Sequence, residues 1–139
     1  MEHWAGESIV ILDFGSQYTQ LIARRIREQK VFSVILSPKS TLAEIRAARP
    51  VGVVLSGGPA SVSDPGAPTI DAGVFSLGVP VLGICYGLHL MTTEGGGEVE
   101  KADRREYGHT VIAVESESDL FHETPAEQRV WMSHGDRAR

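Results

Sequence analysis

The single cysteine of this sequence, Cys85, lies in a segment that is typical of a nucleophile. The segment Gly83–Gly87 reads Gly-Ile-Cys-Tyr-Gly, and the apolar run Val79–Ile84 leads into it. The corresponding serine pattern, Gly-x-Ser-x-Gly, forms a sharp strand-to-helix turn that exposes the central side chain above a sheet. We expect the flanking glycines to permit the tight turn, and the helix N-terminus to favour the thiolate. The alternative is an ordinary core cysteine.

A second turn, Ser56–Pro59, contains two consecutive glycines and follows the apolar run Val51–Leu55. Consecutive glycines can present backbone N–H groups to a developing oxyanion without side chains in the way. An ordinary loop is the alternative, because Gly-Gly-Pro is common in loops. Together with the cysteine turn, the pattern predicts part of an oxyanion hole.

Alternating strands and helices must position these two turns. Short apolar runs alternate with segments of helical periodicity, which predicts a parallel sheet with helices on both faces. Ligands bind such sheets at the carboxyl ends of the strands, where both glycine turns fall. The predicted strands are 8–14, 34–36, 51–55 and 79–84, and the predicted helices are 18–30, 41–49 (capped by Ser40 or Thr41) and a short one ending near Thr93.

The last third of the chain has few helical signals. Three strand-like runs, at 98–104, 110–114 and 129–132, predict an antiparallel extension. The predicted fold class is therefore α/β, with three layers, a flavodoxin-like and mostly parallel sheet, flanking helices and this extension. We expect residues 1–139 to form one domain.

Composition narrows the functional class. The 139 residues are 42% hydrophobic and 22% charged, as expected for a globular protein, and the net charge of -5 argues against nucleic-acid binding. No apolar run is long enough to span a bilayer, and Met1–Glu7 lacks the features of a signal peptide. One cysteine excludes an intrachain disulfide and a cysteine-cluster metal site. We expect a cytoplasmic protein without a metal.

Five segments in order resemble the successive signatures of class I glutamine amidotransferases. The cysteine turn and the Gly-Gly-Pro turn are shared across that class. The other three segments are similar to the GMP synthases within it. The five are Asp13–Tyr18, Ser56–Pro59, Gly83–Gly87, Arg105–His109 and Trp131–Asp136.

The resemblance implies a cysteine-dependent hydrolysis of L-glutamine. Cys85 would attack the side-chain amide, giving a glutamyl thioester and ammonia, and water would then release glutamate. The N–H groups of Gly58 and Tyr86 would hold the oxyanion. His89 and the segment comprising Ser133, His134, Gly135 and Asp136 would contact the substrate.

The same resemblance implies a partner. In GMP synthases the ammonia passes to a synthetase domain or subunit, which uses ATP and magnesium to aminate XMP to GMP. None of that synthetase is present in these 139 residues, and we expect no cofactor in this chain itself.

Three positions depart from the family pattern. A histidine oriented by a glutamate activates the family's cysteine, but no His-x-Glu sequence follows Cys85 here. We therefore expect a domain that is incomplete at its C-terminus and inactive alone. His89 replaces a substrate-contacting glutamine, and it either keeps that contact or is a solvated helix residue. Glu94–Gly97 read Glu-Gly-Gly-Gly where the family has a helix-ending leucine before two glycines, so we expect the far end of the third helix to fray.

Two other functions remain open. One is a catalytically silent module that binds glutamine or docks on a synthetase, which the missing His-x-Glu favours. The other is a different class I amidotransferase, such as one feeding anthranilate or carbamoyl phosphate synthesis. The segment Arg105–His109 argues against this last alternative.

Overall fold

The computed structural model describes residues 6–115 and 118–138, with side chains for all of these except 101–107, 119 and 131–138. The described chain forms two compact units, one containing every element up to the third helix and one spanning Glu100–Arg137. The elements in order are β1 (Ser8–Leu12), α1 (Thr19–Glu28), β2 (Phe32–Leu36), α2 (Leu42–Ala47), β3 (Pro50–Leu55), a 3₁₀ helix (Ala72–Ser76), β4 (Val81–Gly83), α3 (Tyr86–Glu94), β5 (Val99–Ala113), a 3₁₀ helix (Asp119–Phe121) and β6 (Glu127–Ala138).

The first unit is built on a four-stranded sheet with the order β2-β1-β3-β4, in which all neighbours are parallel. Parallel neighbours require crossover connections, and α1, α2 and the first 3₁₀ helix occupy these. The predicted mostly parallel sheet is confirmed. Strand β4 is shorter than the predicted run 79–84, because only Val81–Gly83 pair with β3.

Alternate residues of the central strands face two separate cores. Val10 and Leu12 belong to one core, with Ile45 of α2 and Leu90 of α3. Ile11 belongs to the other core, together with side chains of α1. Because successive side chains of a strand point to opposite faces, a strand buried on both faces reads as a continuous apolar run. The three-layer arrangement is confirmed.

The first turn of α2 carries a complete capping box. The Thr41 hydroxyl accepts a hydrogen bond from the Glu44 N–H at 3.2 Å, and the Glu44 carboxylate accepts one from the Thr41 N–H at 3.1 Å. Two backbone donors that the helix leaves unpaired are thereby satisfied. Of the two predicted caps, the structure selects Thr41.

The far end of α3 is capped, so the predicted fraying is wrong. The Gly97 N–H donates to the Thr92 carbonyl at 2.8 Å, and the Gly96 N–H donates to the Thr93 carbonyl at 3.2 Å. Gly96 has a φ of 87°, the left-handed conformation that glycine adopts without steric cost. These are the two bonds of a Schellman motif, in which the glycines terminate the helix from outside it.

The second unit contains an antiparallel pair of strands, β5 and β6. The antiparallel extension is confirmed, but its elements are longer than predicted. The separate runs 98–104 and 110–114 lie in one strand of 15 residues. Gly108, whose φ is 105°, lies within that strand. Across the described residues, no helix has the length and apolar composition needed to cross a membrane.

Candidate active site

Three strands of the first unit end side by side. Leu12, the last residue of β1, is in register with Leu55, the last residue of β3. Leu55 is in turn in register with Gly83, the last residue of β4. The three following loops therefore leave the same carboxyl edge of the sheet, as the sequence predicted. This edge is the usual ligand-binding edge of an open α/β sheet.

Cys85 occupies a sharp turn between β4 and α3. Its φ is 50° and its ψ is -111°, a combination that residues with a side chain rarely adopt. The Gly87 N–H donates to the Ile84 carbonyl at 3.0 Å, and the His89 N–H donates to the Cys85 carbonyl at 3.0 Å. The helix thus begins directly after the strained residue. Such strain costs on the order of 1–3 kcal/mol and is characteristic of functional sites.

The two glycines beside this turn serve close packing, and the expectation that they supply turning freedom is wrong. Only Cys85 has a positive φ within the segment Gly83–Gly87. A Cβ at Gly83 would lie 2.7 Å from the backbone nitrogen of Leu88, and one at Gly87 would collide with the Leu55 carbonyl oxygen. Because α3 lies so close to the strand ends, neither position has room for a side chain.

The Gly-Gly turn lies against the cysteine. A Cβ at Gly57 would be 3.4 Å from the Cβ of Cys85, which is ordinary van der Waals contact. A Cβ at Gly58 would collide with the carbonyl oxygen of Phe14. The Gly-Gly turn therefore lies beside the cysteine turn, and Gly57 forms the direct contact with Cys85. Within the part of the chain that the structure describes, no acceptor receives the N–H of Gly58 or Tyr86.

The Tyr86 side chain holds the beginning of α3 in place. Its ring lies 5.1 Å from the ring of Phe14, centroid to centroid, at an interplanar angle of 45°. Its hydroxyl donates to the Pro68 carbonyl. Burial raises the pKa of this phenol, and the Asp64 carboxylate raises it further. The side chain is therefore a neutral structural anchor, while its backbone N–H lies at the turn.

The thiol of Cys85 is free, and the residue is exposed. Partial burial of the thiol nevertheless raises its pKa above the ordinary value, because the surrounding protein displaces the water that would solvate a thiolate. The predicted lowering of the pKa by the helix N-terminus is therefore wrong. Desolvation by burial is the cause of this shift.

The structure places the remaining predicted site residues differently. His89 lies in α3 with 8% of its surface exposed, so it is not a solvated helix residue. Its contact with substrate stays a prediction. Ser133, His134, Gly135 and Asp136 lie in β6 of the second unit, and their side chains are outside the described residues.

Two residues of this edge were not among the predicted site residues. Phe14 donates its N–H to the Ser56 hydroxyl at 2.9 Å, and that hydroxyl donates to the Gly57 carbonyl at 3.0 Å. Both residues are buried. The signal in the sequence was the position of Phe14 at the end of one apolar run and of Ser56 directly after another, but a serine in a loop is common and its partners depend on strand order.

A three-layer α/β fold with a strained cysteine between strand and helix is characteristic of the class of proteins with a nucleophile elbow. Comparison with known proteins identifies the family within it. The model for class I glutamine amidotransferases matches residues 10–139. This chain belongs to the class I glutamine amidotransferase family.

Relatives among characterised proteins are GMP synthases of the glutamine-hydrolysing type. That of Lactiplantibacillus plantarum is 58% identical over 94% of this chain and 26% of its own length. That of Synechocystis is 53% identical over 94% of this chain and 24% of its own length. The chain therefore spans about a quarter of the length of these relatives.

Solved structures confirm the fold. A protein described as a GMP synthase subunit, from Thermoplasma acidophilum, aligns with a TM-score of 0.82 at 28% identity, over 98% of this chain and 68% of its own. A glutamine amidotransferase from Thermotoga maritima aligns with a TM-score of 0.71 at 21% identity, over 99% of this chain and 64% of its own. The second similarity concerns the fold alone.

Proposed function

We propose that this chain is the glutaminase part of a GMP synthase. The observation that carries the proposal is the strained cysteine between β4 and α3, packed against the Gly57–Gly58 turn. The relatives, at 52–58% identity, support GMP synthase over other class I amidotransferases. The substrate is L-glutamine, and the products are glutamate and ammonia.

The reaction has two steps. The sulfur of Cys85 attacks the side-chain carbonyl carbon of glutamine, and the oxyanion that forms is held by the N–H groups of Gly58 and Tyr86. The C–N bond breaks as the nitrogen takes a proton, so ammonia leaves and a thioester remains. Water then attacks the thioester, which releases glutamate and restores the thiol.

The proposed partner of this chain is a synthetase domain or subunit. It would consume the ammonia in an ATP- and magnesium-dependent amination of XMP to GMP, as the resemblance implies. The cofactors would belong to that partner, and the glutaminase chemistry described above uses none. A cytoplasmic location would suit this role.

The proton transfers need a group that Met1–Arg139 do not contain in the family's form. No His-x-Glu sequence follows Cys85, and burial raises the pKa of the Cys85 thiol. We therefore expect no appreciable ammonia release from these 139 residues alone. Loss of general acid–base catalysis costs on the order of 10²–10⁴-fold, and more where groups act as a unit.

Turnover in a longer chain tests the proposal. A chain carried on into a His-x-Glu segment should release ammonia from L-glutamine, and Cys85→Ala in that chain should abolish the release. Robust release from the 139 residues alone would contradict this account of the base, and His89, His109 and His134 would then be tested by substitution.

A second candidate function is a glutamine-binding or synthetase-docking module without turnover, which the replacement of the family's substrate-contacting glutamine by His89 favours. Protection experiments separate the two. For the glutaminase and for a glutamine-binding module, L-glutamine should slow alkylation of Cys85 by iodoacetamide, whereas L-asparagine, one methylene shorter, should not; a module that only docks on a synthetase should show no protection. Protection without ammonia release from the longer chain would establish the silent module.

A further inference from the structure

The hydroxyl of Ser56 connects two loops at the carboxyl edge. Ser56 follows β3 and has 0% of its surface exposed. Its oxygen accepts the Phe14 N–H at 2.9 Å and donates its proton to the Gly57 carbonyl at 3.0 Å. A hydroxyl has a single proton to donate, so that proton is committed to the Gly57 carbonyl.

The same peptide unit carries the Gly57 carbonyl and the Gly58 N–H. A trans peptide is planar, and its C=O and N–H bonds point in opposite directions. A hydrogen bond that fixes the carbonyl therefore also fixes the N–H. This constraint matters here because a peptide between two glycines is otherwise free to rotate into conformations closed to other residues.

Phe14 supports this peptide from the neighbouring strand. Its N–H donates to the Ser56 oxygen, and its carbonyl oxygen lies so near Gly58 that a Cβ there would collide with it. Its ring packs on Tyr86, whose own N–H is the second proposed oxyanion donor. Phe14 therefore contacts both of the segments that carry the proposed oxyanion donors, Gly58 and Tyr86.

We infer that Ser56 is a positioning residue, whose hydroxyl aims the Gly58 N–H at the oxyanion by holding the Gly57 carbonyl. The inference rests on the proposed function, because it presupposes that Gly58 is an oxyanion donor. It assigns to a buried serine an effect on the rate of acylation in addition to its effect on stability.

The test compares two reactions of the same thiol. The γ-methyl thioester of L-glutamate acylates Cys85: the sulfur of Cys85 bonds to the carbonyl carbon, and methanethiol leaves with the thiol proton. This step passes through an oxyanion and needs little help with the leaving group. Iodoacetamide alkylates the same sulfur without forming an oxyanion. The ratio of the two rates is independent of thiol ionisation and reports the oxyanion donors.

Ser56→Ala should lower the acylation rate by about tenfold to 10²-fold while leaving the alkylation rate nearly unchanged, as expected for a misdirected oxyanion donor. The matched control is Ser33→Ala. Ser33 is also buried, accepts a hydrogen bond from Arg27 at 3.1 Å and donates one to the Ala23 carbonyl at 2.9 Å, but it lies near the start of β2. Its loss should destabilise the chain without changing the ratio.

Ser56→Thr keeps the hydroxyl and should keep the ratio within about threefold of the unmodified chain. It also supplies the test if Ser56→Ala does not fold, because a folded threonine variant with a tenfold lower ratio would contradict the inference. Equal ratios in Ser56→Ala and Ser33→Ala would overturn it as well. The proposed function fails separately, if the unmodified chain is alkylated at Cys85 but acylated no faster than Cys85→Ala.

Discussion

The two turns at the carboxyl edge both lie against close neighbours, but they accommodate those neighbours in different ways. After β3, Gly57 and Gly58 carry no side chain where Cys85 and Phe14 approach. After β4, the residue in the unfavourable conformation is Cys85 itself, and the glycines on either side leave room for α3. The two glycines of the turn after β3 have no side chain that could cover the backbone. The turn after β4 keeps the Cys85 side chain, at a cost in backbone conformation. The proposed nucleophile is therefore strained, and the proposed oxyanion donor is not.

The largest expected effect is at Gly87. Gly87→Ala should lower the free energy of unfolding by about 3 kcal/mol, because a Cβ there meets the Leu55 backbone, which cannot move away as a flexible side chain can. Urea unfolding followed by circular dichroism measures the change. Gly96→Ala is the control, since its Cβ meets nothing within 4 Å and only the left-handed φ costs about 1–2 kcal/mol. Equal losses would show that α3 does not pack as described.

In the turn after β3, alanine substitutions at the two neighbouring glycines should differ in their cost to the free energy of unfolding. Gly58→Ala should cost about 2 kcal/mol, because its Cβ would collide with the Phe14 carbonyl oxygen. Gly57→Ala should cost less than about 1 kcal/mol, because its Cβ would make an ordinary 3.4 Å contact with Cys85. The same unfolding measurement checks both variants. A larger loss for Gly57→Ala would reverse the assignment of the two close approaches.

Because Cys85 is strained, we expect the protein to be more stable when the side chain is removed altogether than when it is shortened to alanine. Cys85→Gly should be more stable than Cys85→Ala by about 1 kcal/mol, since glycine adopts a φ of 50° freely but gives the unfolded chain more entropy. Differential scanning calorimetry on the two variants resolves a difference of this size. Greater stability of the alanine variant would mean that the turn is relaxed.

The smallest expected effect concerns ionisation of the thiol. Burial raises the pKa of Cys85, so the rate of its alkylation by iodoacetamide should reach half of its plateau only at a pH above about 8.5, the midpoint of an ordinary thiol. At pH values between the pKa of the thiol in the unfolded chain and its pKa in the folded chain, the folded chain keeps the thiol proton and the unfolded chain has lost it. The stability contribution is therefore full below the ordinary thiol pKa and declines as the pH rises above it. A plateau well below pH 8.5 would mean that the turn activates the sulfur.

The sequence alone was sufficient to predict the strands and helices, and to predict that the two glycine turns lie at the carboxyl edge of the sheet. Apolar runs such as Ser8–Leu12 and Val51–Leu55 are continuous because both faces are covered, and Thr41 with Glu44 shows the capping pattern directly. These features are local, so a single sequence is enough to detect them. The cysteine turn was found for the same reason.

Contacts between segments distant in the sequence were not predictable. The need for glycine at position 87 arises from Leu55, 32 residues earlier, and the partner of Ser56 is Phe14, 42 residues earlier. Strand order decides both contacts. The pKa of Cys85 depends in the same way on the three-dimensional surroundings of its sulfur, which raise it by desolvation.

The parallel register of the sheet has a consequence for the order of folding. Val53 of β3 pairs with Val81 of β4, 28 residues away, and Val10 of β1 pairs with Val53, 43 residues away. Pairings over such distances form slowly, because the loop-closure entropy is lost before the contacts compensate for it. The φ of Cys85 is unfavourable on its own and becomes tolerable only once β3, β4 and α3 have packed. A nascent chain therefore presents an ordinary, unstrained thiol until the sheet has assembled around it.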